Sequence, residues 1–338
     1  MSGVRREAYA RAGLLGNPSD LFEGRAIALA LANFRATVTI EPAARLELVP
    51  GADDRIAYPS LREAAEMLDA YGCEDGIRLL RAALRKAVAL RGGLGDLSPD
   101  DARLRFRMAY TTDIPRQVGL AGSSAIVTAA LRALCDWLGH TLEPPELAEA
   151  ALACETEELG ITAGPMDRVA QAYEGLVAMD FRPPRGPASY RRLDPSRLPP
   201  LFLAWNPRGG TPSRVQHSDV RGRWLRGDTE VRRLVGDLVA LAAKGEKVIE
   251  SGDATELAAL FDENFELRAR VYPVSDVDRA LVSIARARGA GAKLCGSGGA
   301  VIGGLRDPRA WPSLSRDYAA AGWAAKLARI QLPAAGRA

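Results

Sequence analysis

The chain has 338 residues, 47% of them hydrophobic and 26% charged, and a formal net charge of +3 at pH 7. That balance excludes a disordered or collagen-like chain, leaves room for two domains sharing one cleft, and suits a small anionic ligand better than a nucleic-acid backbone. No run approaches the roughly 20 apolar residues that span a bilayer, and Met1–Leu15 lacks the apolar core of a secretory signal, so a cytoplasmic protein with no membrane or nucleic-acid partner is expected.

In chain order, Ala36–Glu41 alternates apolar and polar residues, as does Leu104–Tyr110, and each predicts a half-buried strand. Between them Gly76–Leu90 has helical periodicity, with Arg78, Arg81 and Arg85 on a solvated face opposite Ile77, Leu80 and Leu84. Ile126, Ala130, Leu134 and Leu138 predict a helix that follows the Gly-rich stretch Gly119–Ala125. A further helix is expected from about Pro145 to Leu159, and Pro165 opens a short one that stops near Gly175. Leu176–Phe181 reads as a strand, and six prolines within 182–200 mark a linker or boundary. Beyond it the pattern predicts a strand at Leu201–Trp205, helices over roughly 228–251, 254–271 and 276–288, and a strand after Gly299. A helix over 308–321 and a strand near Trp323–Leu332 close the chain. Strands and helices mix without strict βαβ alternation, which favours an α+β class over a doubly wound sheet.

The strongest local signal is Gly119-Leu120-Ala121-Gly122-Ser123-Ser124-Ala125, between a strand and an amphipathic helix. Glycines permit close backbone approach, and a helix start presents unpaired amides and a positive dipole end, which suit a phosphate. The same residues also read as a plain helix N-cap. No Walker Gly-Lys-Ser/Thr is present. A second Gly-rich turn, Gly296-Ser297-Gly298-Gly299, fails as a dinucleotide fingerprint because it follows a helix and precedes a strand. Glu155 falls on the apolar side of its helix with Ala148, Leu152 and Leu159, so it needs either a basic partner or a cation. Asp167, in the first turn of a helix, reads either as a dipole-matching acid or as a carboxylate that takes a proton from a substrate hydroxyl. Cys73, Cys135, Cys154 and Cys295 are isolated and only His140 and His217 accompany them, so no zinc or iron–sulfur site is expected. Gly-x-Ser-x-Gly is absent, and hydrolase chemistry has no support.

Three stretches, ARAGLLGNPSD (10–20), PRQVGLAGSSA (115–125) and GAKLCGSGGAV (291–301), resemble in order and spacing the GHMP kinases, named for galactokinase, homoserine kinase, mevalonate kinase and phosphomevalonate kinase. The middle stretch is similar to the family's Pro-x-x-x-Gly-Leu-x-Ser-Ser-Ala type with one extra small residue, and Met166 stands where members usually carry Gln. DRVAQAYEGLVAMDF (167–181) and HSDVRGRWLRGD (217–228) resemble the sugar-acid kinases within that family.

The resemblance implies two α+β lobes, residues 1–185 binding ATP and residues 195–338 forming a ferredoxin-like partner, with the nucleotide and substrate between them. It implies an ATP- and Mg2+-dependent phosphotransferase acting on the anomeric hydroxyl of a sugar acid. A kinase for a galactose-like sugar, a heptose phosphate or a mevalonate-like acid, and a nucleotide-binding regulator without catalysis, are the alternatives. Carried over by residue, Gly119–Ala125 hold the ATP phosphates, Ser124 and Glu155 ligate Mg2+, Asp167 is the base and Arg11 its cation. Asp20 takes sugar hydroxyls, and Gly296–Gly299 line the site near the transferred group. A substrate carboxylate calls for an arginine fork; Arg116, Arg168, Arg214 and Arg221 are the candidates.

Overall fold

A computed structural model describes residues 2–52, 54, 76–184, 186, 189–209, 213–321 and 325–333. Cys73 and Trp323 lie outside the described residues, as do the side chains of Arg214 and His217.

The chain opens with a long antiparallel hairpin, β1 (Val4–Leu15) and β2 (Arg25–Pro42). Small residues fill both faces of this hairpin, Ala8, Ala10 and Ala12 on one and Ala26, Ala28 and Ala30 on the other, and all are buried. That lets a helix lie close against the sheet. Next come β3 (Glu47–Val49), α1 (Gly76–Leu90), β4 (Phe106–Thr112) and α2 (Gly122–Leu138). Helix α2 packs on β1 and β2 and is apolar almost all round, so Val127, Leu131, Leu134 and Trp137 are buried. Each such side chain contributes about 1.5–3 kcal/mol on burial. Helix α3 (Pro144–Ala153), α4 (Met166–Tyr173), β5 (Leu176–Asp180) and β6 (Tyr190–Leu193) complete the first half. The first sheet runs β3-β4-β2-β5-β6, with β1 paired to β2; β3 is parallel to β4 and the other pairs are antiparallel.

The second half contains β7 (Leu201–Trp205), α5 (Ser213–Leu225), α6 (Thr229–Ser251), α7 (Ala254–Ala269) and α8 (Asp276–Arg286). It ends with β8 (Ala290–Leu294), β9 (Ala300–Leu305), α9 (Trp311–Ala320) and β10 (Lys326–Arg329). The second sheet is antiparallel in the order β10-β7-β9-β8, with α7 and α8 against β8 and β9. This is the expected α+β fold in two lobes. The lobes meet closely: the Ala32 N–H donates to Gln331 O at 2.8 Å, and α6 packs on β2.

Several expectations need correction. The helix expected to reach Leu159 leaves α geometry after Ala153, and Cys154–Glu158 form a π-helical turn. Within the Pro-rich stretch, Tyr190–Leu193 make an edge strand rather than a bare linker. Strands β1 and β8 and helix α5 had no clear signal in the pattern.

Candidate active site

The three motif stretches, far apart in sequence, converge on Arg11. From β1, its Nε donates to Asp167 Oδ1 at 2.5 Å, and one terminal nitrogen donates to Gly119 O at 2.7 Å and Cys295 O at 3.2 Å. Its backbone N–H donates to Leu120 O at 3.2 Å, and the Gly13 N–H donates to Cys295 O at 2.8 Å. The two Gly-rich turns therefore touch. A side chain on Gly119, where φ is +71°, would come within 2.9 Å of the Ser297 nitrogen, and one on Gly296 would come within 2.4 Å of Gly119 O. Only glycine fits either place.

At the start of α2 the plain N-cap reading fails. The cap residue is Ala121, left-handed at φ 60°, and it makes no side-chain cap bond. Ser123 and Ser124 lie inside the first turn and point elsewhere: Ser123 Oγ donates to Glu155 Oε1 at 3.0 Å, and Ser124 Oγ to Glu155 Oε2 at 3.1 Å. The amide end of a long helix is left without a cap from these serines, the kind of end that can receive an anion.

Glu155 sits at the head of the π-helical turn, which turns its carboxylate toward these hydroxyls. Its Oε2 also accepts from Arg168, through Nε at 2.5 Å and through a second, shorter contact from a terminal nitrogen. The other terminal nitrogen of Arg168 donates to Gly164 O at 2.7 Å. Arg168, expected at the substrate, is 5% exposed and bonded to Glu155 and Gly164. The basic partner foreseen for Glu155 is thus Arg168. Of the other arginines considered for a carboxylate, Arg116 and Arg221 are exposed.

Asp167 opens α4 with Pro165 as cap, and its Oδ2 lies 3.6 Å from Arg168. Two cations thus flank one carboxylate. Asp20, in the short 3-10 helix Ser19–Phe22, is buried and accepts the Met166 N–H at 3.4 Å. Burial, with the Asp167 charge nearby, pushes its carboxyl pKa up from the ordinary 3.8 to about 6. Polar residues that the sequence reading missed finish the shell. Gln171 Nε2 donates to Ala121 O at 3.0 Å, Arg268 donates to Ser297 O at 3.0 Å, and Asp278 Oδ1 accepts the Gly299 N–H at 2.7 Å.

Residues 78–175 match the family model described as the GHMP kinases N terminal domain. The chain is 37% identical to Glucuronokinase 1 of Arabidopsis thaliana over 311 residues, covering 89% of this chain and 84% of that protein. Probable glucuronokinase 2 of the same plant is 36% identical, over 87% and 82% of the two chains. The chain belongs to the GHMP kinase family. The crystal structure of Lactococcus lactis galactokinase complexed with galactose shares the fold, with a TM-score of 0.74 and 13% identity over 98% of this chain and 93% of that one.

With these glucuronokinase relatives and this family, the chain is a sugar kinase, a phosphotransferase acting on a hydroxyl group, from a family that uses ATP. Among the described residues no helix is long and apolar enough to cross a membrane, and no group of three or more His, Cys, Asp or Glu forms a metal cluster.

Asp20 makes this kinase sensitive to pH in a predictable direction. Its raised pKa means that the folded chain binds the proton more tightly than the unfolded one between about pH 4 and 6, so this group's stabilising effect is lost as pH rises through 6. Asp20→Asn removes that loss and should stabilise the fold at pH 7–8, by at most about 3 kcal/mol, with the gain vanishing below about pH 4. Thermal unfolding at pH 4 and pH 8 checks this; an equal effect at both would contradict it.

Proposed function

We propose that this chain is an ATP- and Mg2+-dependent kinase that phosphorylates the anomeric hydroxyl of a sugar acid, D-glucuronate giving its 1-phosphate. The observation that carries the substrate is the 37% identity to Glucuronokinase 1, which extends across both lobes and beyond the shared motifs. The chemistry is supported by the Arg11–Asp167 pair at 2.5 Å beside the open end of α2.

In this reading the amides of Gly119–Ala125 and the dipole of α2 receive the ATP phosphates. Asp167 accepts the proton of the acceptor hydroxyl as its oxygen bonds to the γ-phosphorus and the bond to ADP breaks. Arg11 keeps Asp167 ionised and steadies charge between the two Gly-rich turns. Asp20 accepts hydrogen bonds from sugar hydroxyls, and Gly296–Gly299 close the wall around the transferred group. Phosphoryl transfer asks mostly for positioning and charge neutralisation, which fits a site with few reactive side chains.

The oxygens near Ser124 fit Mg2+. Its hydroxyl and Glu155 Oε1 are hard donors 3.3 Å apart, while Arg168 occupies the Oε2 side of the carboxylate. Ser124 and Glu155 would hold the ion, with water and phosphate oxygens as the other ligands. Bound there, Mg2+ would neutralise phosphate charge.

The acceptor is tested by steady-state ADP release with ATP and Mg2+ on glucuronate, galacturonate, glucose, galactose and mevalonate. Glucuronate should exceed the neutral sugars in kcat/KM by at least roughly 10²-fold, because polar groups that meet an acceptor carboxylate are left unpaired when that group is missing. Equal efficiency with glucose or galactose would move the assignment to a neutral-sugar kinase.

A further inference from the structure

A turn of the first lobe that faces the site is held by two buried side chains of the second. Residues Gly13–Asn17, the end of β1 and the turn after it, lead into the short helix that carries Asp20. From β8, Lys293 Nζ donates to Gly13 O at 2.8 Å, Asn17 Oδ1 at 2.7 Å and Leu294 O at 2.8 Å. From α7, Asn264 Oδ1 accepts the Gly16 N–H at 2.8 Å, and its Nδ2 donates to Asn17 O at 3.2 Å. Lys293 is 1% exposed and Asn264 0%. Among the described residues no carboxylate pairs with Lys293; burial and the nearby Arg268 and Arg11 guanidiniums push its pKa down, while the three oxygens around Nζ favour the charged form.

An ammonium has three donors, and here all three are used on oxygens with fixed positions. Burying a lysine for that purpose is costly, and an apolar side chain would fill the space more cheaply. What the arrangement fixes is the path of the turn. The Ser19 N–H closes it onto Gly16 O at 2.9 Å, and the next residue is Asp20, which receives the N–H of Met166 immediately before Asp167. The Gly119–Ala125 loop touches the Gly296–Gly299 turn but also has ties of its own, Arg11 at Gly119 O and Gln171 at Ala121 O.

We propose that Lys293, together with Asn264, is a positioning residue for the sugar acceptor: from the opposite lobe it sets the Gly13–Asn17 turn and so the placement of Asp20. Lys293 touches no substrate and acts through Asn17. The inference rests on Asp20 being an acceptor contact.

Steady-state kinetics on Lys293→Met, Lys293→Arg, Asn264→Ala and Asp20→Asn test it, using glucuronate and ATP as varied substrates and thermal unfolding as control. Lys293→Met should raise the KM for glucuronate about tenfold or more, the scale of one lost buried charged hydrogen bond, while the KM for ATP barely moves. Lys293→Arg, which keeps charge and donors, should recover part of the loss. Lys293→Met combined with Asp20→Asn should raise the acceptor KM by less than the product of the single effects. If Lys293→Met does not fold, Asn264→Ala makes the same test from the same side of the turn. Acceptor and ATP KM rising together, or neither moving in a folded variant, would overturn the proposal. Asp20→Asn tells that failure from a failure of the underlying reading: an unchanged acceptor KM there removes the acceptor contact itself, and the proposal with it.

Discussion

Asp167→Asn is expected to lower turnover by at least roughly 10²-fold, the low end for general-base catalysis, while ATP affinity stays near that of the native chain. The amide keeps the size and the helix start of Asp167 but cannot take a proton. The phosphate loop does not depend on Asp167 for its shape, because Arg11 donates separately to Gly119 O and Gln171 to Ala121 O. Arg11→Ala should also cut turnover, and through a wider route. It removes the 2.5 Å contact to Asp167 and the ties to Gly119 and Cys295, and it leaves a half-buried carboxylate short of a partner. Because the two residues act as a unit, the double variant should lose less than the product of the single losses. Pre-steady-state and steady-state rates at saturating substrate check both. Nearly full turnover in Asp167→Asn would reduce this residue to a helix-start acid.

Glu155→Gln should raise the Mg2+ concentration needed for half-maximal rate by at least about tenfold, since a charged hard-oxygen ligand is replaced by a neutral one. It should also destabilise the fold. Arg168 is fully buried and takes its closest charge from Glu155, and removing one partner of a buried pair costs about 3–5 kcal/mol. The effects separate in the double variant Glu155→Gln with Arg168→Met. Without a stranded guanidinium, stability should return toward the native value while the Mg2+ requirement stays high. Magnesium titrations and thermal unfolding on both variants check this. Recovery of the Mg2+ response together with stability would make Glu155 a purely structural residue.

The parts of the fold that could be read from sequence are those where one local pattern dominates. Helix α1 spans Gly76–Leu90 as its periodicity predicts, and β5 and β7 follow their apolar runs closely. Strand β1 was hidden because its core positions are Ala8, Ala10 and Ala12, which carry little strand preference. Strand β8 was hidden for a related reason: Ala-Gly-Ala-Lys-Leu is a weak strand sequence, and its lysine is buried by contacts with a turn some 280 residues away in the chain. The π-helical turn at Cys154–Glu158 has no local signature, yet it aims Glu155 at the serines. Candidate site residues within Gly-rich motifs were legible because glycine marks close backbone approach. Gln171, Asn264, Arg268 and Asp278 were not, because each is an ordinary polar residue of a helix until the tertiary fold sets a backbone group in front of it.

Transfer of phosphate from ATP to C1 of a sugar acid is best tested on the product itself. Glucuronate is incubated with ATP, Mg2+ and the purified chain, and the product is examined by phosphorus NMR with carbon coupling. A single new phosphorus signal coupled to the anomeric carbon and its proton, with one ADP formed per product, is the predicted result. A phosphate coupled to any other carbon, or no new ester while a neutral sugar is phosphorylated under the same conditions, would contradict the account.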